Sequence, residues 1–137
     1  MNCIFCDISN KKADAEILFE NESIIAFLDI RPVNYGHTLV IPKTHYENFL
    51  VLPGKELYEL IKVTKVLSGA IINSLNPEGF NIVANNGIAA GQSVSHFHFH
   101  IIPRYMYDDF GFKPNLKEYY NGSIHGFADK IRAAIAI

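Results

Sequence analysis

Late in the chain, His96-Phe97-His98-Phe99-His100 alternates imidazoles with phenyl rings and runs on into Ile101-Ile102. Successive side chains on an extended strand point to opposite faces. The spacing therefore predicts a strand over 96–102 with His96, His98, His100 and Ile102 on one face and Phe97, Phe99 and Ile101 on the other. The phenyl face needs a core and the imidazole face is free for chemistry, so the segment demands a sheet covered on at least one side. A lone histidine on a strand is most simply a polar residue on a solvated face. Three in strict alternation, half of the six in the chain, form a constellation instead.

The rest of the chain supplies that sheet. Apolar runs at 16–19 and 23–28 flank Glu20-Asn21-Glu22 and read as a β-hairpin. A third run, 38–41, stops at Pro42, which has no N–H to continue a ladder. From Gly54 to Leu75 the residues Leu57, Leu60, Ile61, Thr64, Leu67, Ile71 and Leu75 recur at three- and four-residue spacing, the period of one long helix. Asn76-Pro77-Glu78-Gly79 ends it, and 80–84 resumes a strand pattern. A loop over 104–122 and a short helix over 123–137 complete the chain. About five strands, mostly in hairpins, with one main helix make an α+β domain rather than a series of βαβ units.

The 137 residues fit a single domain, 1–137, and with 49% hydrophobic residues, ten Phe and seven Tyr they can bury a core unaided. A net charge of -2 with dispersed Lys and Arg offers no footprint for nucleic acid or an anionic membrane. The N-terminal Met1-Asn2-Cys3-Ile4-Phe5-Cys6-Asp7 has no basic segment leading into an apolar run, and no stretch approaches the length of a bilayer span. The expectation is a cytoplasmic protein. In that compartment Cys3-x-x-Cys6 reads as a metal site, a redox pair or buried thiols rather than a structural disulfide, and distant histidines decide among these.

An imidazole attacks phosphorus only through a nitrogen bearing a lone pair, so its other nitrogen should donate its proton to a fixed acceptor such as a backbone carbonyl. Attack gives a phosphohistidine-type adduct that water later cleaves. Just upstream, Asn85-Asn86-Gly87-Ile88-Ala89-Ala90-Gly91-Gln92-Ser93 is a loop whose small residues let backbone N–H groups approach an anion. Alone it is an ordinary turn. Its place before the histidine segment makes it a candidate phosphate cradle.

Three stretches together resemble the histidine-triad (HIT) nucleotide hydrolase and transferase family. They are Ala26-Phe27-Leu28-Asp29-Ile30, Gly36-His37-Thr38-Leu39-Val40-Ile41-Pro42-Lys43-Thr44-His45, and the run from Asn85 through Gly91-Gln92-Ser93-Val94-Ser95 and the histidines to Arg104. The resemblance covers Cys3 to Arg104 and points to the bacterial nucleoside phosphoramidase-like (Hint-type) branch. It implies a five-stranded antiparallel sheet, a homodimer with a continuous larger sheet, and a purine mononucleotide of AMP or GMP type on the histidine face. It implies that His98 is the nucleophile and that His37 and His100 complete charged surroundings for the α-phosphate. Asp29 would bind the ribose; Asn85, Gly91, Gln92 and Ser93 would contact the phosphate or leaving group; Ile8, Phe27 and Ile30 would line the base pocket or simply be core. Asn85, where the dinucleoside-triphosphate hydrolase branch typically has Gln, leans toward cleavage of P–N bonds.

The same resemblance brings His45 and His96 near Cys3 and Cys6, a closed set of two thiolates and two imidazoles suited to structural zinc. A zinc-bound His96 anchors the catalytic strand and takes no part as acid or base. Other readings remain: a dinucleoside polyphosphate hydrolase, a non-enzymatic nucleotide-responsive binding protein, and a metal-dependent hydrolase using the histidines as ligands. Tyr105, Tyr107, Phe110 and Phe112 either line the mouth of the site or pack a dimer.

Overall fold

The computed structural model describes residues 2–111 and 114–137. Five strands, β1 (Ile17–Glu20), β2 (Ile24–Leu28), β3 (Thr38–Pro42), β4 (Gly79–Val83) and β5 (Phe99–Arg104), form one antiparallel sheet in the order β1-β2-β3-β5-β4. A short helix α1 (Ile4–Ser9) precedes them, the long helix α2 (Gly54–Leu75) joins β3 to β4, and α3 (Ser123–Ala134) ends the chain. The architecture is α+β, with the long helix at the bounds its periodicity marks. Among the described residues no helix is long and apolar enough to cross a membrane.

The sheet is covered on both sides. Ile24, Ala26, Val40, Phe97 and Ile101 pack with Leu60, Val63, Leu67 and Ile71 of α2. Ile25, Phe27, Leu39 and Ile41 point the other way and pack with Cys3, Phe5 and Ile8 at the N-terminus. This double covering explains why β2 and β3 are unbroken apolar runs: every residue of Ile24–Phe27 and of Thr38–Pro42 is buried. α1, capped by the Cys3 sulfur accepting from the Cys6 N–H at 3.4 Å, has no counterpart in the sequence reading, because six residues are too few to show a period.

The bounds of the first four strands shift by no more than one residue from those expected, and those of the last shift further. The ladder of β5 begins at Phe99, not at His96. β3 ends at Pro42, and the Phe97 N–H donates instead to the Tyr46 carbonyl at 2.7 Å. The two-faced alternation survives, with Phe97 fully buried on the α2 side and His96 and His98 buried on the other.

The C-terminal part packs little. α3 buries no residue, and Ile124, Phe127 and Ile131 leave about half or more of their surface exposed. Of the aromatics expected at a site mouth or dimer contact, Tyr105 and Tyr107 are exposed, Phe110 lies against the Arg104 guanidinium, and Phe112 lies outside the described residues.

Candidate functional site

The segment entering β5 presents three imidazoles to the α1 side of the sheet, and the partners of each fix where its proton sits. The carbonyl of His96 lies 2.7 Å from Nδ1 of His98, so that nitrogen carries the proton and donates it. Nε2 of His98 therefore bears the lone pair. Burial lowers the His98 pKa, partly offset by the His96 carbonyl and Asp29, so near neutral pH the ring is in its nucleophilic form. Phe5 of α1 meets the ring edge-on with centroids 5.0 Å apart, and His98 as a whole is 4% exposed.

His100, one turn of the pleat further on, faces His37 with its Nδ1 2.9 Å from Nε2 of His37. The Val33 N–H donates to Nδ1 of His37 at 3.1 Å. A neutral His37 with Nδ1 occupied as acceptor keeps its proton on Nε2 and donates it to His100, which leaves His100 with its own proton on Nε2. The expected charged surroundings are corrected here. Burial is the main cause holding His37 below its ordinary pKa and His100 down to about 4, so both are neutral near pH 7. The charge beside them is that of Asp29, whose Oδ2 lies 3.7 Å from Nε2 of His37 while its Oδ1 accepts from the Arg31 N–H.

The third imidazole turns to other partners. His96 is fully buried, donates from Nε2 to the Pro42 carbonyl at 2.7 Å, and so directs a bare Nδ1 at the sulfurs of Cys3 and Cys6, 3.4 and 3.5 Å away. Nδ1 of His45 lies 3.3 Å from the Cys6 sulfur. In a tetrahedral zinc site with bonds of about 2.3 Å to sulfur and about 2.0 Å to nitrogen, the sulfur–nitrogen edge is roughly 3.5 Å. The four donor atoms lie within 4.8 Å of one another, so the set fits such an ion. A backbone carbonyl on the far side of a ligating imidazole is also the usual orienting partner. Burial and the neighbouring Cys3 push the Cys6 thiol up to about 11, and a dication is what would stabilise the two thiolates together.

Asp29, His37 and His100 also bring their donor atoms within 4.8 Å. Here the tautomers are wrong for a metal, because the Val33 N–H occupies Nδ1 of His37 and the remaining nitrogen carries a proton toward His100.

The upstream loop is more self-contained than its composition suggests. The N–H groups of Ala90, Gly91 and Gln92 bond to carbonyls within the loop, and that of Gly87 bonds to the Gln92 side chain. Gln92 in turn donates to the carbonyls of Glu47 and Val94, so its amide braces the loop. Gly91 sits at φ +91°, a conformation side chains disfavour, and packs beside the half-buried Asn85 amide. Ser93 is exposed. Of the candidates for a base pocket, Ile8 and Phe27 are buried and Ile30 is 89% exposed.

Phe5, Val33, Pro42 and Asn34 all shape the site and carry no sequence signal of doing so. Val33 and Pro42 act through backbone atoms, which give no sequence signal, and Asn34 acts through its side-chain amide as well as its carbonyl. Phe5 reaches the histidines only because α1 folds across the sheet.

A profile of the HIT domain matches residues 10–107. An uncharacterized HIT-like protein of Methanocaldococcus jannaschii is 52% identical over 106 residues, 77% of this chain and 81% of that one. The adenosine 5'-monophosphoramidase of Schizosaccharomyces pombe is 40% identical over 104 residues, covering 76% and 75%. Among solved structures, a member of the HIT family of proteins from Bacillus subtilis superposes with a TM-score of 0.92 at 38% identity, over 100% of this chain and 99% of that chain. A Zn-bound histidine triad family protein from Mycobacterium smegmatis gives 0.76 at 34% identity, covering 98% and 99%.

Proposed function

The chain belongs to the HIT domain family, and on that premise we propose that it is a nucleotide-binding hydrolase cleaving nucleoside 5'-phosphoramidates or related α-phosphate bonds. The observation that carries the reading is the Nδ1 donation from His98 to the His96 carbonyl, which leaves one nucleophilic nitrogen in a buried, neutral ring.

In the first step the Nε2 lone pair of His98 forms a bond to the α-phosphorus while the P–N bond to the leaving amine breaks, and the amine takes up a proton. That proton comes from water, because the neutral His100 has only its Nε2 proton, assigned by the His37 contact, and keeps it in a hydrogen bond to a phosphate oxygen. Water then attacks phosphorus and gives up its proton to solvent, the P–Nε2 bond breaks, and a nucleoside monophosphate leaves with His98 restored. Asp29 binds the ribose hydroxyls. Asn85 and Ser93 hold the phosphate side, with Gly91, whose N–H is bonded within the loop, leaving room for close approach and Gln92 bracing their loop. Phe27, Ile8 and Ile30 are the candidates for contact with a purine base. The monophosphoramidase activity named for the fission yeast relative supports this substrate class.

Cys3, Cys6, His45 and His96 would hold a structural zinc, supported by the donor spacing and by the zinc-bound neighbour. With all four positions taken by protein, such an ion organises the chain and leaves no place for substrate. In the same reading the protein is a homodimer joined along β4. β4 is an outer strand of the sheet and exposes Phe80 and Ile82 beside an apolar groove of about 380 Å³ shared with Ile61 and Ile72 of α2.

The test is release of a fluorogenic amine from an adenosine 5'-phosphoramidate. The expected result is turnover by the native protein and none by His98→Ala, which still binds AMP. Equal release by the variant sinks the mechanism. Absence of turnover with intact AMP binding favours the nucleotide-responsive binding protein.

A further inference from the structure

The loop between Asp29 and His37 sets the tautomer of His37, and it is fastened from outside the site. Asn34 donates from Nδ2 to the Pro103 carbonyl at 2.8 Å and to Oδ2 of Asp108 at 2.9 Å. Both partners are acceptors, so the amide orientation is unambiguous. Asp108 in turn is gripped by Arg104, whose Nε and Nη2 donate to its two oxygens at 2.8 Å each, and by the Tyr105 N–H at 3.0 Å. Arg104 is itself tied to Asn81 of β4. The Asp108 side chain is 7% exposed, and these donors hold its carboxyl well below the usual carboxylate range, the Arg104 contacts first. At the other end, the Asn34 carbonyl accepts the His37 N–H at 3.0 Å, and the adjacent Val33 supplies the N–H on Nδ1 of His37.

We propose that Asn34 and Asp108 are positioning residues for His37, clamping the 29–37 loop to the end of β5 so that His37 keeps its proton on Nε2 and presents it to His100. Asn34 and Asp108 lie outside the three stretches of candidate site residues, and of their side-chain partners only Pro103 and Arg104 fall within one, at the very end of the last. The chain beyond β5 thus reaches the site without lining it, through one carboxylate and one amide. Releasing the clamp frees Val33 to move off Nδ1, after which the ring can take either tautomer and His100 loses its fixed donor. The consequence for turnover rests on the hydrolase reading above; the consequence for the His37 ring does not.

Two-bond proton–nitrogen NMR correlation of the histidine rings reads the tautomer directly in the full-length protein. The native chain should show His37 protonated on Nε2 with a hydrogen-bonded, pyridine-like Nδ1. Asn34→Ala, which leaves the Arg104–Asp108 pair in place, and Asp108→Ala should each give averaged His37 signals with the His45 and His96 signals unchanged. If the hydrolase reading holds, kcat on the phosphoramidate should fall roughly 10- to 100-fold in each, since a small misplacement in a site costs on this order, and the double variant should lose little more than either single one. A native spectrum with His37 protonated on Nδ1 overturns the proposal even if neither variant folds. So does a folded Asn34→Ala protein with the native His37 signature. A native protein that turns over no phosphoramidate removes the hydrolase reading, and the ring spectra still decide the clamp.

Discussion

His98 donates from Nδ1 to the carbonyl of His96, two residues before it, at 2.7 Å, while the His96 ring points its own Nδ1 toward Cys3 and Cys6. One residue thus serves two sites. Its backbone fixes the tautomer of His98, the proposed nucleophile, and its side chain joins the four-donor set that links the segment to the N-terminus and to His45.

Stripping the metal is expected to act on stability rather than on chemistry. Native protein should contain about one zinc per chain, measured by elemental mass spectrometry, and a chelator with Cys6→Ser as parallel variant should lower the melting temperature markedly, because binding energy at a structural site is folding energy. Protein still folded after chelation should turn over phosphoramidate within about threefold of native, taking that as less than one kcal/mol. Loss of turnover with an unchanged melting temperature would instead favour the histidines as ligands of a catalytic ion.

Acid should destabilise the fold before the carboxylates titrate. His37 and His100 are held neutral by burial, His100 down to about 4, whereas in the unfolded chain each binds a proton near pH 6.5. Below that pH the unfolded state carries more protons, so the stability these rings contribute is complete above about pH 6.5 and is lost as pH falls toward about 4. His100→Asn, which cannot titrate, should flatten the decline in melting temperature over this window. Parallel curves for native and variant would show that the ring is not the source.

Phe5 is 6% exposed and touches Phe27, His96 and His98 edge-on. Truncation to alanine leaves a cavity under both imidazoles and should cost about 3–5 kcal/mol, read from urea denaturation, whereas Phe5→Leu should recover most of that. A cost for Phe5→Ala under about 1 kcal/mol would mean that α1 does not hold the histidine face shut, since that is the range of an exposed change.

How far the sequence alone reached depends on which interactions repeat. Helix α2 was legible from Gly54 to Leu75 because its buried residues, Leu60, Thr64, Leu67 and Ile71 among them, recur with the helical period. The two faces of 96–102 were legible because the pleat forces alternation. The start of β5 was not, because whether Phe97 bonds to β3 or to the Tyr46 carbonyl depends on where another segment lies. Likewise the charge expected on His37 and His100 was overturned by burial, a property of the packed site and not of the residue.

The amino-acid sequence by itself determined the strands, the long helix and the family, since periodicity and motif spacing are carried by neighbouring residues. Only the tertiary structure decided which nitrogen of each histidine holds a proton, because the deciding partners are the carbonyls of His96 and Pro42 and the N–H of Val33. Every residue type but proline has both groups, so no sequence pattern marks them. For His98 this means that the alternating motif supplied the imidazole, and the fold supplied its reactive edge.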